Sequence, residues 1–265
     1  MSTQATRVWY QSMTPLELLP NYADSLRRHA KLVCPDLEVT VNGASNKWFA
    51  EHMPGQVFKY PYAKHVIQSE IIGICRRAQE QGYDVLVLGS FSEPFLAEIR
   101  SILDIPVVSM AESSLLVACS LAERFSLVGL SSGQITRLAH VVHRHTLDGR
   151  VREITSLTRP VHEADLDKAF HDPASIIEDF MAVARKASAA GADVIIPAEG
   201  VLNELLFWNK VREVDGSTVL DCAGLSLLYA RMMVDMKRTL GVGVGRRWAY
   251  PKLPAEMLKM LDSVR

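Results

Sequence analysis

Gly82-Tyr83-Asp84-Val85-Leu86-Val87-Leu88-Gly89-Ser90 lines up without a gap on Gly191-Ala192-Asp193-Val194-Ile195-Ile196-Pro197-Ala198-Glu199. Each run closes a helical pattern at a glycine and then gives an apolar stretch of the length of a buried parallel strand. Each is followed by a second short strand of similar character, Pro106-Val107-Val108-Ser109-Met110-Ala111 in the first half and Thr218-Val219-Leu220-Asp221-Cys222-Ala223 in the second. Two matches in the same order describe a duplicated unit.

Working outward, the same alternation covers the chain. Strands are expected at Arg7–Gln11, Glu38–Val41, Asp84–Leu88, Pro106–Ser109, Phe125–Leu130, Arg152–Leu157, Asp193–Ile196 and Ser217–Leu220. Helices are expected from Leu16, opened by Pro15, to about Leu32, and at Val66–Gln81, Ser113–Arg124, Gln134–His145, Pro173–Ala190 and Leu225–Leu240. The prediction is an α/β protein of two similar lobes, each a parallel sheet flanked by helices, pseudo-twofold related, with the site in the cleft between them. The expected division is 1–115 with 225–265 in one lobe and 116–224 in the other.

The 265 residues, 48% hydrophobic and 22% charged, suffice for such a core. Lys and Arg number 29 against 30 Asp and Glu, so no overall field favours nucleic acid or an anionic membrane. The polar start, Met1 to Arg7, and the lack of an apolar run of roughly 20 residues predict neither a secretory leader nor a membrane span. A soluble cytoplasmic protein is expected. Cys34, Cys75, Cys119 and Cys222 form no C-x-x-C pair, which argues against zinc and against a disulfide framework, and each reads as a small buried thiol.

Three features are set aside. His140, His143 and His145 do not share one helical face and read as a solvated helix end rather than a metal site. Gly241-Val242-Gly243-Val244-Gly245 follows a helix and lacks a Gly-Lys-Ser/Thr ending, so it is neither a dinucleotide turn nor a phosphate loop, with Arg246, Arg247 and Tyr250 beyond it as weak anion contacts. Met232, Met233 and Met236 read as core or as a subunit contact in a homo-oligomer.

In a duplicated unit Ser90 and Glu199 stand in the same place, just beyond the carboxyl end of a parallel strand. Open α/β sheets bind ligands there, because loops converge and helix N-termini present free N–H groups. Facing lobes aim both residues into one cleft.

The sequence resembles the aspartate/glutamate racemase superfamily, most closely its hydantoin racemase branch, over nearly the whole chain. The resemblance is carried by Arg7-Val8-Trp9-Tyr10-Gln11-Ser12, Gly89-Ser90-Phe91-Ser92-Glu93-Pro94, and Ile105-Pro106-Val107-Val108-Ser109-Met110-Ala111-Glu112-Ser113. It continues through Arg124-Phe125-Ser126-Leu127-Val128, Gly191-Ala192-Asp193-Val194-Ile195-Ile196 and Arg246-Arg247-Trp248-Ala249-Tyr250-Pro251. It implies an enzyme without a cofactor, in which a cysteine at the matching strand end of each lobe moves the proton α to a carbonyl. Here Ser90 and Glu199 stand in those two places, and none of the four cysteines does.

A serine hydroxyl is a far weaker acid than a thiol of pKa roughly 8.5, so Ser90 alone is no base near neutrality. Glu199, a carboxylate of ordinary pKa about 4.3 that burial would raise, fits proton transfer. The turn Ser90-Phe91-Ser92 offers amides and hydroxyls to an enolate or carboxylate oxygen. Further substrate contacts are expected from Gln11, Ser12, Ser113, Ser131, Ser132, Gly200 and Val201, with caps and turns the rival role for the serines. Glu112 is balanced between the site and a helix N-terminus, and Glu93 reads as structural.

The leading expectation is a cofactor-independent, metal-free isomerase or racemase acting on a carbon α to a carbonyl in a small carboxylate, amide, imide or hydantoin-like substrate. The alternatives are a hydrolase, lyase or decarboxylase using Ser90 and Glu199, or a non-catalytic small-molecule binding protein.

Overall fold

The computed structural model describes residues 5–50, 52, 54–159, 161 and 163–263; the polar start at 1–4 lies outside these. The first half contains β1 (Thr6–Ser12), α1 (Pro20–Val33), β2 (Leu37–Asn42), α2 (Pro54–Phe58), α3 (Pro61–Glu80), β3 (Val85–Gly89), α4 (Leu96–Ile102), β4 (Val107–Ser109) and α5 (Met110–Leu121). The second contains β5 (Phe125–Gly129), α6 (Ser132–Arg144), β6 (Val151–Ser156), α7 (Glu163–Lys168), α8 (Ala174–Ala189), β7 (Val194–Pro197), α9 (Gly200–Trp208), β8 (Glu213–Val214), β9 (Ser217–Val219), α10 (Cys222–Leu240) and α11 (Ala255–Ser263).

The duplication is visible in the strand order. One sheet runs β2-β1-β3-β4 and the other β6-β5-β7-β9, with β8 added at the edge. The four strands common to each sheet are parallel, and only β8 pairs antiparallel. The two aligned runs, 82–90 and 191–199, therefore contain β3 and β7, at equivalent places in equivalent sheets.

Several boundaries differ from expectation, each for a local reason. The first helix starts at Pro20 rather than Leu16, where only a 3-10 turn (Leu16–Leu18) forms. Proline inside a helix lacks the N–H and clashes with the preceding turn, but at the first position it is favoured. Pro61 opens α3 in the same way, ahead of the expected Val66. The helix expected from Ser113 begins at Met110, because Ser109 is its N-cap and accepts from the Glu112 amide at 3.2 Å. The unexpected β8–β9 hairpin turns on Asp215 and Gly216, both in the left-handed region (φ 48° and 86°), as a tight hairpin of this type requires.

Alternation along the strands of the first sheet sorts side chains between two cores. Val8, Tyr10, Val85, Val87 and Val108 join a core that continues into the second lobe, while Trp9, Leu86, Leu88 and Val107 pack with Ile71, Cys75 and Ile99. Each fully buried aliphatic side chain contributes about 1.5–3 kcal/mol. The shared core explains why α5 and α10 pack together between the sheets, α5 touching β7 as well as β3 and α10 touching β3 and β1. A polar tie reinforces this packing: α1 lacks a side-chain cap of its own, and Asp167 of α7 supplies one, accepting from Tyr22 N at 2.9 Å and Asn21 Nδ2 at 2.9 Å.

Candidate active site

The turn after β3 carries Ser90. Ser90 Oγ accepts from the Ser92 amide at 3.2 Å and lies 3.0 Å from Ser92 Oγ, which Gln68 Nε2 of α3 approaches at 3.5 Å. Either hydroxyl of the Ser90–Ser92 pair can be the donor. Two residues of this turn, Glu93 (φ 45°) and Phe95 (φ 54°), sit in the left-handed region. Such a conformation costs of order 1–3 kcal/mol and persists where surroundings enforce it.

Those surroundings are visible around Glu93, which is 1% exposed. Its Oε1 accepts from the Ser109 hydroxyl and, at 3.0 Å, from the Glu112 amide, while its Oε2 lies 2.8 Å from His145 Nε2 and 3.5 Å from Arg144. His145, read from sequence as part of a solvated helix end, is thus an inward-facing residue that crosses from the second lobe, whereas His143 stays exposed beside Asp148. The hydrogen bond to Glu93 is the main influence that raises the His145 pKa above its ordinary value, with burial opposing it.

Glu199 follows β7 and is the N-cap of α9, one carboxylate oxygen accepting from Leu202 N at 2.8 Å. A glutamate here is one methylene longer than the usual capping residues, so its carboxylate holds the first turn from further out.

Buried aromatic residues pack against both strand ends. Register places Ser12 beside Gly89. Tyr22 lies against Gly200, where a Cβ would come 2.5 Å from its Oη, so any larger residue directly after Glu199 would have to displace that ring. Tyr10 lies in the same manner against Gly89, where a Cβ would meet its ring at 2.3 Å. The buried phenols of Tyr10 and Tyr22 thus form a floor against Gly89 and Gly200, the residues next to Ser90 and Glu199. The Tyr10 hydroxyl has no hydrogen-bond partner of good geometry and faces that of Tyr22. Burial is the leading reason that both tyrosine pKa values lie well above 10, and the negative charge of Glu199 and Glu204 adds to it. Both remain neutral donors at physiological pH. Tyr10 and Tyr22 are the residues that sequence reasoning missed; inward alternation along β1 was the available signal for Tyr10.

The remaining expected contacts are distributed unevenly. Phe91 and Val201 are buried in the shared core near the two strand ends. Gln11 lies on the opposite face of β1, its Oε1 accepting from the Trp9 indole at 3.0 Å and its Nε2 donating to Ser12 O at 2.9 Å. Ser113 donates to Met110 O at 3.2 Å within α5. Glu112 is engaged by Arg100, which also donates to Val107 O at 2.9 Å. Ser131 occupies the N-cap position of α6 without a side-chain capping bond, and Ser132 beside it is exposed. Of the C-terminal motif, Arg246 donates to Arg100 O at 2.6 Å and Tyr250 lies near the Arg100 guanidinium, so these residues brace α4. Cys222 is fully buried and its thiol is pushed up by burial, so it does not replace a thiol at Glu199.

Behind Glu199 lies a second polar cluster. His29 of α1 is sandwiched between Glu204 Oε1 (2.7 Å from Nδ1) and Asp221 Oδ2 (2.9 Å from Nε2), and it stacks on Phe207 at 3.5 Å. Asn203 joins in, donating to Asp221 Oδ1 at 3.2 Å and accepting from Cys222 N at 2.7 Å. Among the described residues no group of three or more His, Cys, Asp or Glu is arranged to hold a metal ion, and no helix is long and apolar enough to cross a membrane.

Comparison with known families places this architecture. Residues 25–198 match the Asp/Glu/hydantoin racemase family. The chain belongs to that family. It is 27% identical over 201 residues to a hydantoin racemase from Pseudomonas sp. (strain NS671), covering 75% of this chain and 76% of the relative. A second hydantoin racemase, from Rhizobium meliloti, is 21% identical over 68% of this chain and 71% of its own. Among solved structures, allantoin racemase from Klebsiella pneumoniae superposes with a TM-score of 0.71 at 19% identity, covering 94% of this chain and 95% of its own. The chain is thus a member of an isomerase family with that family's two-sheet fold, carrying Ser90 and Glu199 at its two strand ends.

Proposed function

We propose that this racemase-family protein catalyses proton transfer at a carbon α to a carbonyl in a small amide, imide or carboxylate substrate, without a cofactor. Glu199 takes and returns the proton, and the Ser90 hydroxyl with the Phe91 and Ser92 amides stabilises the enolate oxygen. The observation that carries the reading is the equivalent placing of Ser90 and Glu199 directly after β3 and β7, with Ser12 beside Gly89 in register and Tyr22 packed against Gly200. Relatives named hydantoin and allantoin racemases support a substrate in which the reacting carbon lies beside an imide or amide carbonyl.

The bonding of Ser90 favours an oxyanion donor over a nucleophile. A serine nucleophile needs a base within hydrogen-bond reach, and the bonds described for Ser90 go to the Ser92 hydroxyl and amide. A hydroxyl held by an amide and a neighbouring hydroxyl, with no base described beside it, suits donation to developing charge.

The test is solvent exchange in D2O, followed by NMR on a single enantiomer of a 5-substituted hydantoin. Glu199→Gln is expected to lower α-proton exchange by about 10²–10⁴, the usual contribution of a general base. Ser90→Ala is expected to lower it by about 10²–10³, the usual contribution of one oxyanion donor. Exchange at the wild-type rate in Glu199→Gln eliminates the base role.

A further inference from the structure

Two clusters outside the reacting positions show the same plan, once in each direction across the molecule. In the first, His29 of α1 reaches out of the first lobe to Glu204 of α9, five residues beyond Glu199. In the second, His145, the C-cap of α6, reaches out of the second lobe to Glu93, three residues beyond Ser90. The helices α1 and α6 are equivalent, since each follows the second strand in its sheet order, β1 or β5. Each histidine also approaches the N-terminus of the helix that follows the last common strand of the other lobe. His29 contacts the N-cap Asp221 of α10 directly, and His145 reaches Ser109, the N-cap of α5, through Glu93.

We propose that His29 and His145 are positioning residues forming two cross-lobe latches, each holding in place the catalytic residue of the opposite lobe. The proposal rests on the proton-transfer reading for what is positioned, and on geometry alone for the latches.

The physical case is strongest at Glu93. Its backbone is left-handed, a conformation that a non-glycine residue keeps only under constraint, and its carboxylate is buried with partners on both oxygens. A buried carboxylate deprived of a partner is costly, so loss of His145 frees the turn to relax and carries Ser90 and Ser92 with it. The other charged groups facing His145 are Arg144 on its own helix and Glu112, whose Oε1 is 3.9 Å away and is itself engaged by Arg100. At the other latch, His29 fixes Glu204, which also accepts from Trp208 Nε1 at 3.3 Å, and through Asn203 and Asp221 ties α9 to the start of α10. The carboxylate of Glu199 caps that same α9, so any shift of the helix displaces it. Burial differs in degree but not in kind, with side-chain exposures of 1% for His29 and 13% for His145.

Hydrogen exchange by mass spectrometry on the full chain tests this without a substrate. His145→Ala is expected to speed amide exchange at least tenfold in the segment 90–96 of the first lobe while leaving 199–208 at its wild-type rate. His29→Ala is expected to do the converse. His145→Gln, which keeps an N–H donor toward Glu93, is expected to recover most of the protection. Exchange that rises only around the substituted histidine, rises uniformly, or does not change overturns the latches. Should His29→Ala not fold, His29→Gln provides the same comparison. In turnover of a 5-substituted hydantoin, His145→Ala should lower kcat more than it raises KM, and equal loss in stability and activity without that split rejects the positioning role. A wild-type protein that exchanges no α-proton overturns the proton-transfer reading instead, and the exchange pattern at 90–96 and 199–208 still decides the latches.

Discussion

His29 makes stability depend on pH in a window where few other groups titrate. Burial pushes the imidazole pKa down, but its hydrogen bonds to Asp221 and Glu204 and their negative charge outweigh this and bring it from 6.5 to about 9. A folded-state pKa above the unfolded one means that the native state holds the proton more tightly. The stabilisation is complete below the unfolded value of 6.5 and disappears as pH rises through about 9. At about 1.4 kcal/mol per pH unit, the full effect is about 3 kcal/mol. It falls below half of that by about pH 8 and is gone above about pH 10. The partner Asp221 behaves in the opposite sense: its pKa is lowered, chiefly by His29 and against burial, so its contribution is lost only as pH falls through the acid range. Urea unfolding of wild type and His29→Gln between pH 6 and pH 10 measures the effect, since titrations remote from His29, Glu204 and Asp221 cancel in the difference. The gap in stability should be large at pH 6 and shrink toward pH 10 as the wild-type imidazole loses its proton. Parallel profiles for the two proteins would show that His29 is neutral between its carboxylates and would refute the argument.

Two further substitutions probe the phenol floor. Tyr10→Phe removes a buried hydroxyl that lacks a partner; thermal unfolding should show no loss and a gain of up to about 1 kcal/mol, whereas α-proton exchange should slow if that hydroxyl faces the substrate oxygen. A loss of stability would mean that the hydroxyl is bonded. Gly200→Ala places a methyl 2.5 Å from Tyr22 Oη and should cost about 1–3 kcal/mol by overpacking. Adding Tyr22→Phe should recover part of this in denaturant titrations, and strict additivity of the two changes would contradict the contact.

The strands were legible because parallel strands buried on both faces leave unbroken apolar runs, and the repeat was legible because both copies keep a helix-ending glycine before such a run. The glycines are in the left-handed region, Gly82 at φ 74° and Gly191 at φ 97°, so the signal reflects a real backbone need. Helix starts at Pro20 and Pro61 carried a signal in the prolines themselves. By contrast, the partners of His29 lie 175 and 192 residues away and that of His145 lies 52 residues away. No local pattern announces contacts made by folding one lobe onto the other. His145 looked solvated because a helix terminus ordinarily is; here the terminus abuts the other lobe. Ser90 and Glu199 are legible as strand-end residues from position alone, whereas Tyr10 and Tyr22 read as core aromatics, which they also are.

The lobes share a strand order, and on the proposed reading they divide the chemistry between them. A serine cannot substitute for a thiol as a base near neutrality, since its proton is held too tightly, so the duplicated architecture presents one group suited to moving protons and one suited to donating a hydrogen bond. That division has a consequence for the floor between them. An enolate formed by removal of a proton to Glu199 places negative charge near a carboxylate that has become neutral, and stability then depends on donors that do not themselves ionise. On the proposed reading, the two phenols, kept protonated by burial and by neighbouring carboxylates, are donors of that kind. The carboxylates Glu204 and Asp221, which would repel an enolate, are offset by the charge on His29 between them. On this account the histidine that bonds α9 also keeps the field behind the site from opposing the intermediate.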